Sequence, residues 1–214
     1  MTSSNRVLIF AGGNIASGFK EYIRPGDYLI GADFGAFFLV DHGIIPDIAI
    51  GDFDSVSPQQ LQRIQEVCGS VTIVDPIDKD QTDTELAFDI ALDRRPDEIM
   101  MFGVLGSRCD HSFANIQMML RALQHQIPSS IRDENNYITL TGSSACIEKG
   151  DFTYVSLIPM TPEVTGITIE GFLYPLDNAS IRMGQSVGIS NKLIAERGTI
   201  QIESGLLLIV QSKD

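Results

Sequence analysis

The sequence predicts two domains of different class: an α/β domain with a parallel sheet, followed by an antiparallel β-sandwich. Over roughly the first 130 residues, short apolar runs alternate with segments whose apolar residues recur at helical spacing, which is typical of βαβ units. After about residue 134 the apolar runs alternate with polar residues and are separated by Gly, Pro or Asn about every ten residues. We therefore place the α/β domain at residues 1–134 and the β-sandwich at residues 135–214.

The α/β domain is predicted to contain five buried strands with helices between them. The strands are nearly continuous apolar runs, as expected for a parallel sheet covered on both faces: RVLIFAGG, DYLIGAD, DIAIGDFD, SVTIVDP and EIMMFGVLG. The helices have apolar positions at helical spacing: GAFFLVDHG, PQQLQRIQEVCG, TDTELAFDIALDRR and HSFANIQMMLRALQH. In the last helix we expect four apolar side chains in the core: Phe113, Met118, Met119 and Leu123. An open parallel sheet of this kind is Rossmann-like.

The β-sandwich is predicted to consist of short strands joined by turns. Its strand candidates are YITLTG, ACIEKG, FTYVSLIP, GITIEG, ASIRMG, SVGIS, TIQIES and LLLIVQS. The segment SSIRDENN, residues 129–136, is the predicted connection between the two domains, after a last strand of the parallel sheet.

Composition and charge argue against several classes of partner and of protein. The chain has 214 residues, 15 basic against 28 acidic, and a formal charge of −13, which argues against nucleic acid or an anionic membrane as partner. Its three cysteines are widely spaced, which fits reduced thiols better than a disulfide framework or a zinc site. The short apolar run near the start lacks the pattern of a signal peptide, and no run is long enough to span a bilayer. We expect a cytoplasmic location.

Polar residues follow the predicted strands of the parallel sheet, where ligands bind in such folds. Asp33 follows the second strand, Asp52 and Asp54 the third, Asp78, Asp80 and Asp83 the fourth, and Arg108 and Asp110 the fifth. If these strands pair in parallel, the charged groups gather at one edge of the sheet although they are far apart in sequence.

The segment GDFDS places two carboxylates one residue apart. In an extended backbone Asp52 and Asp54 would point to the same side, and paired carboxylates suit Mg²⁺ together with phosphate oxygens and water. The alternative is a turn, since Asp and Ser favour turns and Ser57-Pro58 could begin the next helix. The gathering of charge at one edge favours the metal site.

Two loops supply candidate phosphate contacts. In DKDQTDTELAF, Thr82 is predicted to cap a helix with Glu85 three residues on, while Lys79 could meet a phosphate or could only dilute the acidic charge. In GVLGSRCDHSFANIQ, a glycine-containing loop leads into a helix N-terminus, which presents free N–H groups to an anion. Arg108 adds a planar fork that suits phosphate, and His111 and Asn115 lie one helical turn apart. His111 could equally be an ordinary polar residue at a helix start.

Taken in order, GADFGA, PDIAIGDFDSV, KDQTDTELA, GVLGSRCDHSFANI, GFLYPL and GISN resemble the thiamine pyrophosphokinase (thiamine diphosphokinase) family over nearly the whole chain. The resemblance implies an α/β nucleotide-binding catalytic domain and a β-sandwich that binds thiamine and forms a homodimer. It implies a Mg²⁺-dependent transfer of pyrophosphate from ATP to the hydroxyethyl group of thiamine, which releases AMP and thiamine diphosphate.

The resemblance also assigns residues by motif. The magnesium and catalytic carboxylates would be Asp52, Asp54, Asp80 and Asp83. The nucleotide would contact Thr82, Arg108 and Asp110, and we add Lys79, His111 and Asn115 from their positions. The thiamine pocket, completed across the dimer interface, would include Ser190, Asn191 and Tyr174. Phe34 stands where the family usually has glycine, which weakens the case for a role of Asp33, and the absence of Trp leaves open what stacks on the thiamine rings.

Two other classes remain open at this point. AIGDFDSV also resembles the haloacid-dehalogenase phosphatase signature, in which an aspartate becomes phosphorylated. That motif is expected on the first strand of the core, whereas here it follows the third. A nucleotide-sensing module without catalysis is the other alternative.

Overall fold

A computed structural model describes residues 5–75 and 80–214, which form two compact units, one ending at Glu134 and one beginning at Asn135. Lys79 and Asp78 lie outside the described residues. Within the described residues, no helix is both long enough and apolar enough to cross a membrane.

The first unit is a parallel sheet with helices between its strands. The strands are β1 (Arg6–Phe10), β2 (Tyr28–Ala32), β3 (Ile48–Gly51), β4 (Val71–Ile73), β5 (Glu98–Phe102) and β6 (Ser129–Arg132). The helices are α1 (Phe34–Asp41), α2 (Pro58–Val67), α3 (Asp83–Asp93) and α4 (Cys109–Gln124), and a 3-10 helix spans Phe19–Tyr22.

The six strands pair in the order β4-β3-β2-β1-β5-β6, and all five pairings are parallel. The order reverses direction between β1 and β5, so a crevice is expected beyond the carboxyl ends of these two strands. All five residues of β1 are buried, and the aromatic rings of Phe10 and Phe102 stack at a centroid distance of 4.9 Å across the β1–β5 pair. The Rossmann-like class predicted from sequence is confirmed.

The second unit is an antiparallel sandwich. Its strands are β7 (Asn136–Thr141), β8 (Ser144–Glu148), β9 (Tyr154–Pro159), β10 (Glu163–Glu170), β11 (Leu176–Arg182), β12 (Arg197–Gln201) and β13 (Leu207–Ser212). Strands β7, β13 and β9 pair in that order, and β11, β10, β12 and β8 form a second, four-stranded sheet. One apolar core takes side chains from both layers, among them Leu157, Ile167, Ile200 and Ile209. The predicted β-sandwich is confirmed.

Three local predictions are wrong. The strand β4 is not buried: it is paired only with β3 among the described strands, and Ile73 is 56% exposed. SVGIS is not a strand but a turn, because Gly188 and Ser190 adopt positive φ and only an isolated bridge joins Asn191 to Val155. Phe113 is 66% exposed, whereas Met118 and Met119 on the same helix are buried. Leu123 is half-buried.

Candidate active site

A cavity of about 790 Å³ lies at the carboxyl ends of β1, β2, β3 and β5. Residues that follow β1 and β5 line it, and strand order reverses between these two strands. Ligands are expected at this position in an open parallel sheet. Of the site residues assigned from sequence, eight line this cavity: Asp52, Asp54, Asp80, Thr82, Asp83, Arg108, His111 and Asn115. Asp110 is not among its lining residues.

Three carboxylates in the cavity approach one another closely. Oxygen atoms of Asp33, Asp52 and Asp54 all lie within 4.8 Å of one another, a spacing that would allow them to share a metal ion. Asp80 and Asp83 line the same cavity outside this close group. Hard oxygen ligands at this spacing suit Mg²⁺, which accepts one or two carboxylates and fills its other positions with water and phosphate.

The two aspartates of GDFDS converge for a reason that the sequence did not indicate. The backbone between them is not extended: Phe53 has φ 56° and its side chain is buried against Ala36, Ala49 and Ile64. The Asp54 N–H donates to Asp52 Oδ1 at 3.1 Å. The segment is therefore a turn, held by burial of Phe53, and it still brings both carboxylates into the cavity. The turn and the acidic cluster, treated as alternatives from the sequence, are both present.

Asp33 joins the cluster although the motif assignment left it out. It lies between β2 and α1 with φ 51°, a strained conformation for a residue with a side chain. Ser55 Oγ donates to its Oδ2 at 2.5 Å, while its buried Oδ1 has no hydrogen-bond partner in the described part of the chain. An acceptor left without a partner at this position fits a cation ligand.

Burial raises the pKa of the Asp33 carboxyl above its usual value, and the negative charges of Asp83, Asp54 and Asp52 raise it further, against the lowering effect of the Ser55 hydrogen bond. A bound cation would oppose this rise in the pKa of Asp33, because a nearby positive charge favours the ionised form of a carboxyl group. Phe34, the departure from the family motif, does not displace Asp33. Its side chain instead lies beside Gly12, where an added Cβ would be 3.3 Å from the Phe34 Cβ.

The helix α1 can bring Asp33 to this place because Gly35 lacks a side chain. A Cβ on Gly35 would lie 2.0 Å from the carbonyl oxygen of Phe10, so only glycine lets α1 begin against the end of β1. Strand order had placed Asp33 at this edge of the sheet, after β2 and beside the strand that precedes Asp52; only the motif assignment omitted it.

Two loops at the strand ends are held together by backbone contacts. The N–H groups of Gly13 and Asn14 donate to the carbonyl oxygens of Gly103 and Leu105, at 2.6 and 3.2 Å. Gly103 has φ 67°, and a Cβ on Gly13 would lie 2.4 Å from the Leu105 oxygen. The glycines therefore permit a close approach of the two loops that side chains would block.

The helix α4 supplies the basic side chains. Within the described residues, Arg108 and His111 are the basic groups that line the cavity. Arg108 Nη2 is paired with Asp110 Oδ2 at 2.6 Å, and this guanidinium lowers the pKa of the Asp110 carboxyl to about 2. Buried Asn115 donates from Nδ2 to the Val104 carbonyl oxygen at 2.6 Å, so it holds the loop after β5 in place.

The three thiamine-site candidates lie in the second unit. The Asn191 side chain is buried, its Oδ1 accepts the N–H groups of Tyr174 and Lys192 at 3.0 and 2.8 Å, and its Nδ2 donates to the Tyr174 carbonyl oxygen at 2.8 Å. The Ser190 N–H donates to Ser156 Oγ at 3.0 Å. Asn191 thus binds the backbone of Tyr174, whose side chain is 63% exposed.

One cavity at the reversal point of a Rossmann-like sheet holds carboxylates, glycine-containing loops and an arginine, a combination typical of α/β enzymes that act on phosphate groups. Comparison with known proteins specifies it further. A family model described as "Thiamin pyrophosphokinase, catalytic domain" matches residues 19–131, and "Thiamin pyrophosphokinase, vitamin B1 binding domain" matches residues 144–207. The chain belongs to the thiamine pyrophosphokinase family, a family of enzymes, and not to the haloacid-dehalogenase phosphatases.

Individual relatives agree. A thiamine pyrophosphokinase of Bacillus subtilis (strain 168) is 38% identical over 97% of this chain and 99% of its own length. The crystal structure of a Bacillus subtilis thiamine pyrophosphokinase superposes with a TM-score of 0.92 at 36% identity, covering 98% of this chain and 100% of that one. The enzyme from Geobacillus thermodenitrificans gives 0.89 at 31% identity, covering 98% of each chain.

Proposed function

We propose that this enzyme transfers pyrophosphate from ATP to the hydroxyl group of thiamine, forming thiamine diphosphate and AMP, and that it requires Mg²⁺. The observation that carries the proposal is the approach of the Asp33, Asp52 and Asp54 carboxylates to within 4.8 Å in the cavity of a chain that belongs to this family. Three acidic groups at this distance repel one another unless a cation lies between them.

The donor set fits magnesium. Asp33, Asp52 and Asp54 would hold the ion, with Asp80 and Asp83 facing the same cavity as candidates for a second ion or for bound water. The unpartnered Oδ1 of Asp33 supports this fit. Bound Mg²⁺ supplies positive charge that neutralises phosphate oxygens during transfer.

The remaining tasks fall to the residues of the chain. Phosphoryl-type transfer needs positioning and charge neutralisation more than covalent assistance. Arg108 at the start of α4 would bind polyphosphate oxygens with its planar fork, and Asp110 would orient that fork through its ion pair. The loops at Gly13 and Gly103 would leave room for the phosphates, and Thr82 and His111 would contact them from the edge of the cavity. One of the aspartates would accept the proton of the thiamine hydroxyl.

The second unit would supply the contacts to thiamine. We propose that the exposed ring of Tyr174 and the Ser190 hydroxyl meet the vitamin, and that Asn191 acts by holding the Tyr174 backbone. Exposed apolar side chains of the same unit, Leu173, Ile189 and Ile194, support a homodimer formed through the β-domain. The proposed location is cytoplasmic.

The test is to incubate the protein with ATP, Mg²⁺ and thiamine and to separate the nucleotides by chromatography. AMP and thiamine diphosphate should appear in equal amounts, and omission of thiamine or addition of EDTA should stop AMP release. ADP would indicate a different transferase, and free phosphate a hydrolase. A covalent aspartyl-phosphate detected in the protein during turnover would contradict the proposed direct transfer.

A further inference from the structure

A chain of polar side chains connects the acidic loop before α3 to the helix α4. Gln81, which lies between Asp80 and Thr82 and lines the cavity, donates from Nε2 to Asp89 Oδ2 at 2.8 Å. The other oxygen of Asp89, Oδ1, accepts a hydrogen bond from Arg121 Nη2. We call Gln81, Asp89 and Arg121 the α3–α4 tether.

The tether binds the loop at a point that its helix cap does not reach. Thr82 Oγ1 accepts the N–H of Glu85 at 3.2 Å, which holds only the first turn of α3. Asp89 lies about 9 Å further along the helix axis than Asp83, at 1.5 Å per residue. Gln81 can reach Asp89 only if its side chain runs along the side of α3. The Gln81–Asp89 hydrogen bond therefore sets the direction in which the loop enters the helix, and with it the placement of Asp80.

Arg121 strengthens the α3–α4 tether because it pairs with a second carboxylate of α3. Arg121 pairs with Asp89 and also donates from Nη1 to Glu85 Oε1 at 3.3 Å, so one guanidinium joins two carboxylates of α3. The side chains of Arg121, Asp89 and Glu85 are 38%, 33% and 35% exposed, so these ion pairs are partly shielded from water. Arg121 lies on α4, the same helix whose first turn carries Arg108 and His111 into the cavity. The tether thus couples the acidic loop to the helix that bears the basic groups.

We propose that Asp89 and Arg121 are positioning residues for the transfer reaction, acting through Gln81 to hold Asp80 and Asp83 at the cavity. Neither Asp89 nor Arg121 lines the cavity, so any effect of these residues on turnover is indirect. The inference rests on the proposed function for its kinetic consequence, but the tether itself can be measured without turnover.

The first experiment uses Asp89→Leu, with Asp93→Leu as the matched control. Asp93 is an exposed residue one turn further along the same helix, so both variants remove one negative charge from α3 by the same change of side chain. We expect Asp89→Leu to lower kcat/KM by about 10- to 100-fold, since misplacing a catalytic group by about 1 Å has an effect of that order. Asp93→Leu should stay within about twofold of wild type, as is usual for an exposed surface site.

The second experiment separates positioning from direct contact. Gln81→Met keeps the side-chain length and removes the amide donor. If Gln81 acts through Asp89, the double variant Gln81→Met/Asp89→Leu should be no slower than the slower single variant, because the two residues form one unit. Effects that multiply would show that they act independently and would overturn the proposal. If Asp89→Leu does not fold, Arg121→Gln takes its place, because Arg121 also pairs with Asp89 and does not line the cavity. Wild-type kinetics in that variant would overturn the proposal.

The third measurement is independent of activity. The amides of Glu85 and Leu86 are bonded to Thr82, at its Oγ1 and carbonyl oxygen, so their hydrogen exchange reports how well the loop is held on α3. Exchange at both amides should become about tenfold faster in Asp89→Leu and stay unchanged in Asp93→Leu. If the wild-type enzyme releases no AMP, the proposed function is wrong, but faster hydrogen exchange in Asp89→Leu would still support the tether. Unchanged exchange together with unchanged kcat/KM in Asp89→Leu would refute the tether alone.

Discussion

The acidic cluster should make the metal-free protein less stable than a variant that lacks one of its charges. We consider Asp54→Asn, which keeps the side-chain shape and removes the charge from the exposed member of the cluster. Two unit charges 4.8 Å apart, the limit that holds for these oxygens, repel by about 0.9 kcal/mol in bulk water and about 3.5 kcal/mol at an effective dielectric constant of 20. Asp54 takes part in two such pairs, with Asp33 and with Asp52.

Because Asp54 is exposed, the solvent-like value is the appropriate one, and the two pairs together give about 2 kcal/mol. For a chain of this length that stabilisation corresponds to a rise in Tm of about 4–8 °C. In excess Mg²⁺ the order should reverse. Wild type gains about 2.7 kcal/mol when the free ion is at 100 times its Kd, whereas the variant, with one ligand weakened, gains less and loses most of its transferase activity.

The assay is calorimetric unfolding of both proteins at neutral pH, once in EDTA and once in Mg²⁺. The matched control is Asp151→Asn, an exposed aspartate in the second unit, which removes the same charge from an acidic protein without touching the cluster. A Tm for Asp54→Asn in EDTA no higher than that of Asp151→Asn would refute the electrostatic reasoning. Equal stabilisation of wild type and Asp54→Asn by Mg²⁺ would refute the metal assignment.

Three further outcomes are expected. Burial raises the pKa of Asp33 above that of an unfolded aspartate. The stability that this group contributes is therefore present below the unfolded pKa and is lost as the pH rises through the folded pKa. Asp33→Asn should remove that loss when unfolding is followed against pH in EDTA. Asn191→Ala leaves the N–H and carbonyl of Tyr174 without their side-chain partner, which should cost about 2 kcal/mol, or about 4–8 °C in Tm, and raise KM for thiamine. An unchanged KM would mean that the Tyr174 segment does not need this support. Arg6→Met should destabilise the first unit by about 3–5 kcal/mol in denaturant unfolding, because it leaves the buried carboxylate of Asp27 unpaired; a loss below 1 kcal/mol would contradict that account.

The predictions from sequence were most successful where the evidence was periodic or tied to chain order. Buried strands such as β1 and β5 are read from continuous apolar runs, and the carboxyl ends of parallel strands meet at one edge whatever lies between them. That is why Asp52, Asp80 and Arg108 could be expected in one cavity from the sequence alone. The prediction failed at Phe113, which is exposed, since helical spacing of apolar residues does not by itself show which of them face the core.

The predictions were least successful where a side chain's partner lies far away in the sequence. Local composition gave no sign that Asn191 Oδ1 accepts the N–H group of Tyr174, 17 residues away. Nor did it show that the Gln81 side chain reaches Asp89. Motif matching assigned the acidic residues of GDFDS and KDQTD but omitted Asp33, because the neighbouring Phe34 departs from the family pattern.

The amino-acid sequence by itself determined the class of each domain, the edge of the sheet that carries the charges, and the family that the motifs resemble. These follow from periodicity and strand order, which are properties of the chain read in one dimension. The tertiary structure alone decided that Asp33 completes the acidic cluster and that Phe53 turns the backbone to aim Asp52 and Asp54 into it. Phe53 and Asp33 both have a strained backbone with positive φ. Burial of the Phe53 side chain holds the first, and the close contact of Gly35 with β1 holds the second. Only packing against distant residues can stabilise such strain.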